Sequence, residues 1–178
     1  MRILDKIVNH LKIEIEILSE SVPIFELEKT KGFDRKCKSL KKSIQNSKSG
    51  IICEFKRRSP SNENINYTSN IKEVVKGYEK AGAVGVSILT NKKFFDGSGI
   101  DIINVRDSLN IPVLKKEFII SEYQIFQAKS FGSDAILLIA SILTKEEILN
   151  CFVSVAVPRQ VPVIHSKESL EVTCIASR

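Results

Sequence analysis

An acid and a base two residues apart inside an apolar run are the first sign of chemistry in this sequence. In Ile51-Ile52-Cys53-Glu54-Phe55-Lys56, the period of two of a β-strand puts Ile52, Glu54 and Lys56 on one side. Ionisable groups among apolar neighbours are expensive unless they are paired or used. Ser59-Pro60-Ser61 then takes the chain sharply out of the run. A later run repeats the theme: in Ile111-Pro112-Val113-Leu114-Lys115-Lys116, Leu114 and Lys116 share a side, and Lys116 stands where the run gives way to Phe118. A lysine held beside a carboxylate can act as a general acid, its pKa set by burial and neighbours. Singly, Glu54 and Lys56 read equally well as an ion pair across a barrel, and Lys116 as an exposed strand-end lysine. Together they favour chemistry, because ionisable groups at the ends of successive βα units converge on the mouth where barrel enzymes work. Between these runs, Asn91-Lys92-Lys93-Phe94-Phe95-Asp96-Gly97-Ser98 places two aromatics on a loop. They read either as a tucked-in cap or as a surface for an aromatic substrate ring.

The elements that must position these groups are legible from periodicity. Leu4, Ile7, Leu11, Ile15 and Leu18 recur at steps of three and four, predicting an amphipathic helix that Ser19 to Pro23 ends. A Lys- and Ser-rich connector follows to about Gly50. Five short apolar runs come next: Ile51–Lys56, Val84–Thr90, Ile111–Lys116, Ala135–Ala140 and Val161–Ile164. Segments of helical spacing separate them, such as Ile71, Val74, Val75 and Tyr78, and Thr144-Lys145-Glu146-Glu147 has the form of a capping box. Gly82 and Gly132 fall where helices should end before the next strand. Buried strands alternating with helices predict an α/β protein with a parallel sheet. A doubly wound sheet and a barrel both satisfy that pattern, and charge at the strand ends favours the barrel.

Composition narrows the function classes. Of 178 residues, 43% are hydrophobic and 27% charged, an ordinary globular balance. No apolar run approaches the roughly 20 residues that span a bilayer, and the first turn mixes charges where a signal peptide would be apolar. No membrane partner is expected. Cys37, Cys53, Cys151 and Cys174 lie far apart, with no metal-binding spacing. They read as reduced thiols of a cytoplasmic protein, and no metal or other cofactor is expected. The net charge of +6 is uneven: Lys29 to Arg58 holds eleven Lys or Arg residues against Asp34 and Glu54. Without interleaved aromatics or a binding motif, Lys29–Lys48 reads as a solvated basic face rather than a nucleic-acid site.

Four segments resemble one family. Glu54-Phe55-Lys56-Arg57-Arg58-Ser59-Pro60-Ser61 is similar to the first-strand signature of indole-3-glycerol-phosphate synthases. So are Ser87-Ile88-Leu89-Thr90 with Phe94-Phe95-Asp96-Gly97-Ser98, Pro112-Val113-Leu114-Lys115-Lys116-Glu117-Phe118-Ile119-Ile120, and Asp134-Ala135-Ile136-Leu137-Leu138-Ile139-Ala140. The resemblance covers nearly all of residues 1–150, with Ile3-Leu4-Asp5-Lys6-Ile7 similar to the helical segment that precedes the family's barrel. It implies a (β/α)8 TIM-barrel type of fold and a metal-free, decarboxylating ring closure of a carboxyphenylamino-deoxyribulose phosphate, in tryptophan biosynthesis. The partner it implies is therefore a small anionic phosphosugar–anthranilate substrate. By the same resemblance Lys116 is the general acid, Lys56 neutralises the anionic substrate, and Glu54 orients the amines and assists proton transfer. Ser59 lies in the substrate-contacting turn, and Phe95, Phe118 and Leu137 hold the aromatic ring.

The resemblance thins after Asn150. Cys151-Phe152-Val153-Ser154-Val155-Ala156-Val157-Pro158 is β-branched and ends in proline, poor helix material. Val161-Pro162-Val163-Ile164-His165 is similar to the family's fifth strand, but Val163 stands where a catalytic glutamate is expected. A full barrel takes about 250 residues. The sixth-strand asparagine, the seventh-strand Glu-Ser-Gly and the eighth-strand Gly-Ser are missing. The expectation is therefore a helical extension and basic connector over residues 1–48, and a barrel truncated after about five βα units over 49–178. Such a chain is expected to be marginally stable, to show little or no activity alone, and to self-associate through unpaired sheet edges. The competing expectation is a non-catalytic module that binds an anion or a partner through Lys56, Lys92, Lys93 and Lys116.

Overall fold

The structure, a computed structural model, describes residues 2–156 and the strand 171–175, with side chains described as far as Cys151. Helix α1 (Ile3–Ser21) forms where the apolar spacing predicts it, and the Asp5 carboxylate caps its start by accepting from the Arg2 amide and guanidinium, each at 3.1 Å. Its inner stripe buries Ile7 and Leu11 and lays Ile15 and Leu18 against Leu27, Tyr123 and Phe126. The strands are β1 (Ile52–Phe55), β2 (Gly85–Leu89), β3 (Val113–Lys116), β4 (Ala135–Ile139) and β5 (Glu171–Ile175). All pair in parallel and in sequence order, β1-β2-β3-β4-β5. A doubly wound sheet reverses direction at a switch point, and this order does not. Each crossover returns to the next strand along, as in a (β/α) barrel, and the sheet is a part of one.

Alternation assigns the two faces. Phe55, Val86, Ile88 and Val113 form one cluster with Val75 of α5 (Ile71–Lys80) and with Ile102 and Val105 of α7 (Gly99–Arg106). Ile136 and Leu138 do the same with Ile125 and Ala128 of α8 (Glu122–Ser130). The residues between them, Glu54, Ser87, Leu114, Lys116 and Leu137, therefore face the inner side. At the N-terminal end of that side, Leu40 packs with Leu114 and Ala135 and is only 2% exposed. A side chain on Gly85 would come within 2.8 Å of Leu40, so glycine makes the room for this plug. Gly82 and Gly132 take φ of 91° and 88° and end α5 and α8. In the second case the amides of Gly132 and Ser133 return to Lys129 O and Ala128 O, which satisfies carbonyls left open by the helix end.

Four features differ from expectation. The basic connector is not a solvated face throughout. It contains α2 (Ile24–Leu27), α3 (Lys31–Asp34) and α4 (Leu40–Gln45), anchored by the widely spaced Leu27, Phe33 and Leu40. Arg35 and the Lys38 amide bond to Asp134 Oδ1 at 2.5 and 2.7 Å, and Lys38 Nζ donates to Leu109 O. The loop after β2 includes one helical turn, α6 (Lys92–Phe95). Helix α9 (Lys145–Ala156) runs through the β-branched stretch. Its Thr144–Glu147 capping box is closed in both directions, and Cys151 is buried beside Ile119 and Leu138, so capping and packing outweigh poor propensity. The run expected at Val161–Ile164, with Val163 and His165, lies outside the described residues. The strand beside β4 is Glu171–Ile175, for which periodicity named no strand.

Asp134 has no solvent exposure and also accepts from Arg106 at 2.6 Å and from the Val113 amide at 2.8 Å. Its replacement leaves the buried Arg106 and the half-buried Arg35 without a counter-charge. Asp134→Asn should cost about 3–5 kcal/mol in urea unfolding. Asp107→Asn, which breaks the exposed pair with Lys31, should cost under about 1 kcal/mol.

Candidate active site

Glu54 stands one residue from the end of β1, and Lys116 ends β3 at the same edge of the sheet. Between them, Ser87 pairs with Glu54 in register and Leu89 with Lys116. The strand ends therefore deliver one carboxylate and two amines to a common point. Lys56 Nζ donates to Glu54 Oε1 at 2.9 Å and Lys116 Nζ to Glu54 Oε2 at 3.0 Å. All three side chains are about one-third exposed (31%, 32% and 33% for Lys56, Glu54 and Lys116), dehydrated enough to interact firmly and open enough to meet a ligand. Burial pushes the Glu54 carboxyl upward. The hydrogen bonds and charges of Lys56 and Lys116 together outweigh it, so its pKa lies below the usual carboxylate value. Both ammonium groups thus share one ionised partner.

The surrounding loops are held by buried polar groups that periodicity did not single out. Glu117 follows Lys116 and therefore faces the other way. Its oxygens accept from Thr90 Oγ1, Asn91 Nδ2 and the Phe118 amide at 3.1, 3.0 and 2.9 Å. Burial raises its pKa, with the Lys115 charge and these hydrogen bonds acting against that rise. Asn91 in turn caps α6 by accepting from the Phe94 amide at 2.9 Å. A Cβ on Gly97 would meet Leu89 O at 2.2 Å, so the returning loop passes too close to the strand for any side chain. Arg57 makes two hydrogen bonds to Asp101, at 2.6 and 2.8 Å, and lies over the Phe55 ring, which pins the exit of β1 to α7. The available signals were slight: a polar Thr-Asn pair ahead of a helix turn, and an acid directly after a strand-end lysine.

The two loop aromatics separate. Phe95 meets Phe118 with ring centres 6.2 Å apart, whereas Phe94 turns to His10 of α1. Leu137 is buried on the inner side of β4. Ser59 belongs to the turn after β1, bridging Asn62, with its hydroxyl accepting from the Asn62 amide at 3.1 Å. Lys92 is paired with Asp96, and Lys93 Nζ lies 3.5 Å from His10 Nδ1. Neither joins the Glu54 cluster, which weakens a four-lysine anion site. Among the described residues, no group of three or more His, Cys, Asp or Glu is placed to hold a metal ion. No helix among them is long and apolar enough to cross a membrane.

The sequence profile of the family described as indole-3-glycerol phosphate synthase matches residues 4–171. A Bacteroides thetaiotaomicron protein of that name is 41% identical over 145 residues, covering 82% of this chain and 56% of its own length. A Bacillus cereus protein of the same name is 39% identical over 173 residues, covering 96% of this chain and 65% of its own. The likeness to a Sulfurisphaera tokodaii protein so named reaches 46% over 115 residues. The chain thus spans between 56% and 65% of the length of the first two relatives.

The depressed Glu54 pKa has a consequence for stability. A carboxyl whose folded pKa lies below its unfolded value of roughly 4.3 contributes fully above that value and loses its contribution as pH falls through the folded one. The urea midpoint of the wild-type chain should therefore fall more steeply below about pH 5 than that of Glu54→Gln. Parallel curves would mean that Glu54 is not held ionised by its two lysines.

Proposed function

Because the chain belongs to the indole-3-glycerol phosphate synthase family, we propose that its strand ends form part of a mouth that closes an indole ring. The reaction converts 1-(2-carboxyphenylamino)-1-deoxyribulose 5-phosphate to indole-3-glycerol phosphate, releasing carbon dioxide and water. One observation carries the reading: a single carboxylate, Glu54, is bonded at once to Lys56 and Lys116. Lys116 gives its proton to the ketone oxygen as the aniline ring carbon attacks the carbonyl carbon. The pair of electrons that bound the carboxylate then returns to the ring as carbon dioxide leaves. Protonation of the remaining hydroxyl lets water depart, and loss of a proton from the neighbouring methylene carbon of the new ring completes the indole. Lys56 faces the anionic substrate, and Glu54 holds both amines in place and relays protons between them. Phe95, Phe118 and Leu137 enclose the aromatic ring, and Ser59 contacts the substrate from the turn after β1.

The dianionic phosphate needs backbone N–H groups or cations of its own. We assign it to the family's later strands, so that turnover requires those strands in addition to β1–β5. The edge of β1 supports a second part of the proposal, self-association. Ile51 and Ile52 at that edge are 56% and 38% exposed, and an apolar strand edge invites pairing. The free thiols of Cys37, Cys53 and Cys151 fit a cytosolic setting.

Product formation should be slight for the chain alone and should rise when a fragment carrying the remaining strands is added. In that complemented mixture, Lys116→Ala should lower turnover by roughly 10²–10⁴-fold. Equal turnover by the variant would remove Lys116 from the general-acid role. Anion binding without turnover in the complemented wild type would favour the non-catalytic alternative. Sedimentation of the chain alone should show concentration-dependent association that Ile52→Lys suppresses; a monomer at all concentrations would end the edge-pairing idea.

A further inference from the structure

Lys115 and Lys116 are neighbours on β3 but lie on opposite sides of it, and only Lys116 belongs to the mouth. The Lys115 side chain lies on the helix side, where the residue is 2% exposed and lines a cavity of about 270 Å³. The cavity lies between α1, α8 and the loop leading into α7. That volume is slightly below the ~300 Å³ at which small-molecule sites begin, so a small ligand fits.

The hydrogen-bonding inventory of the cavity is lopsided toward donors. An ammonium group carries three N–H groups. Lys115 uses one, to Gln127 Oε1 at 2.8 Å, and rests 5.6 Å from the Phe131 ring centre. Among the described residues, the Gln127 amide nitrogen has no acceptor. The Ser98 hydroxyl accepts from the Ile100 amide and has no acceptor for its own proton. The oxygens of Glu117, which also line the cavity, are occupied by Thr90, Asn91 and Phe118. Glu14 stands on the α1 wall and faces His10 at 3.6 Å, and Lys92 on the loop is paired with Asp96. Leu11, Ile15 and Leu18 make the α1 wall otherwise apolar.

We propose that this cavity binds a small organic carboxylate with an apolar body. The carboxylate accepts from the two spare N–H groups of Lys115, the Gln127 amide and the Ser98 hydroxyl. The apolar body lies against Leu11, Ile15 and Leu18. Burial independently lowers the Lys115 pKa to about 8, with the charges of Glu117 and Glu14 opposing the shift. A bound carboxylate would raise it again, so binding near pH 8 should take up protons.

Benzoate and its neutral isostere benzamide test the idea by calorimetry on the full chain. Benzoate should bind more tightly than benzamide by about tenfold or more, with proton uptake near pH 8 in buffers of different ionisation enthalpy. Lys115→Met, confirmed folded by its unfolding curve, should abolish the difference, and Lys116→Met should leave it intact. Equal affinity for the two probes on the wild type would overturn the proposal without recourse to any variant. No binding at millimolar benzoate would do the same. Loss in Lys116→Met with retention in Lys115→Met would place the anion in the mouth and overturn it as well.

Discussion

A buried carboxylate can exist only where the surrounding donors outbid water, and Asp134 meets that condition at the N-terminal end of the sheet. Its two oxygens take Arg35, Arg106 and the amides of Lys38 and Val113, which come from three separate parts of the chain. Arg106 Nη2 also donates to Leu109 O and Ile111 O, which holds the guanidinium from its other side. Burial lowers the Arg106 pKa and Asp134 resists that fall, the balance expected of a guanidinium that depends on its partner. Because Arg35 and Lys38 precede α4, the same hub seats Leu40 against Leu114, Ala135 and Gly85. The N-terminal segment is thereby part of the fold and not an appendage to it.

That clamp governs the opposite end as well. The Val113 amide is fixed to Asp134, and Lys116 lies only three residues on, a rise of about 10 Å along a parallel strand. A strand of four residues has little freedom to slip when its first amide is held by a buried carboxylate. Lys116 therefore arrives at Glu54 by construction from below. Lys56 arrives along β1, whose exit Arg57 ties to Asp101. The two lysines share one acceptor because two independently anchored strands end beside it.

The features visible in the sequence are those generated by local periodicity. Alternation placed Glu54 and Lys56 on one side of a strand and Leu114 and Lys116 on one side of another. Helical spacing located α1 and α5, and glycine located the ends of α5 and α8. What remained hidden depends on contacts between distant residues. Arg35 and Asp134 are nearly a hundred positions apart, and nothing in the lysine-rich stretch distinguishes the half-buried Arg35 and Lys38 from the lysines left in solvent. The short helices α2, α3 and α4 are each too brief to leave a periodic signal and exist through the surfaces they cover. Glu117 was hidden for a different reason: its role is to join Thr90, Asn91 and Phe118, and no single strand pattern records a three-way junction.

The dipeptide Lys115-Lys116 shows how far one strand can separate two identical side chains. Pleating sends one to the mouth, where it meets an ionised carboxylate and is partly solvated. It sends the other behind the sheet, where a neutral amide and an aromatic face are its nearest partners. The first lysine donates to Glu54. The second is buried with a single hydrogen bond, and the acid that follows it, Glu117, is committed to the neighbouring loop. A charge placed there destabilises the fold unless the cavity beside it supplies what the protein does not. A small carboxylate seated in the cavity supplies the acceptors that the two spare N–H groups of Lys115 lack.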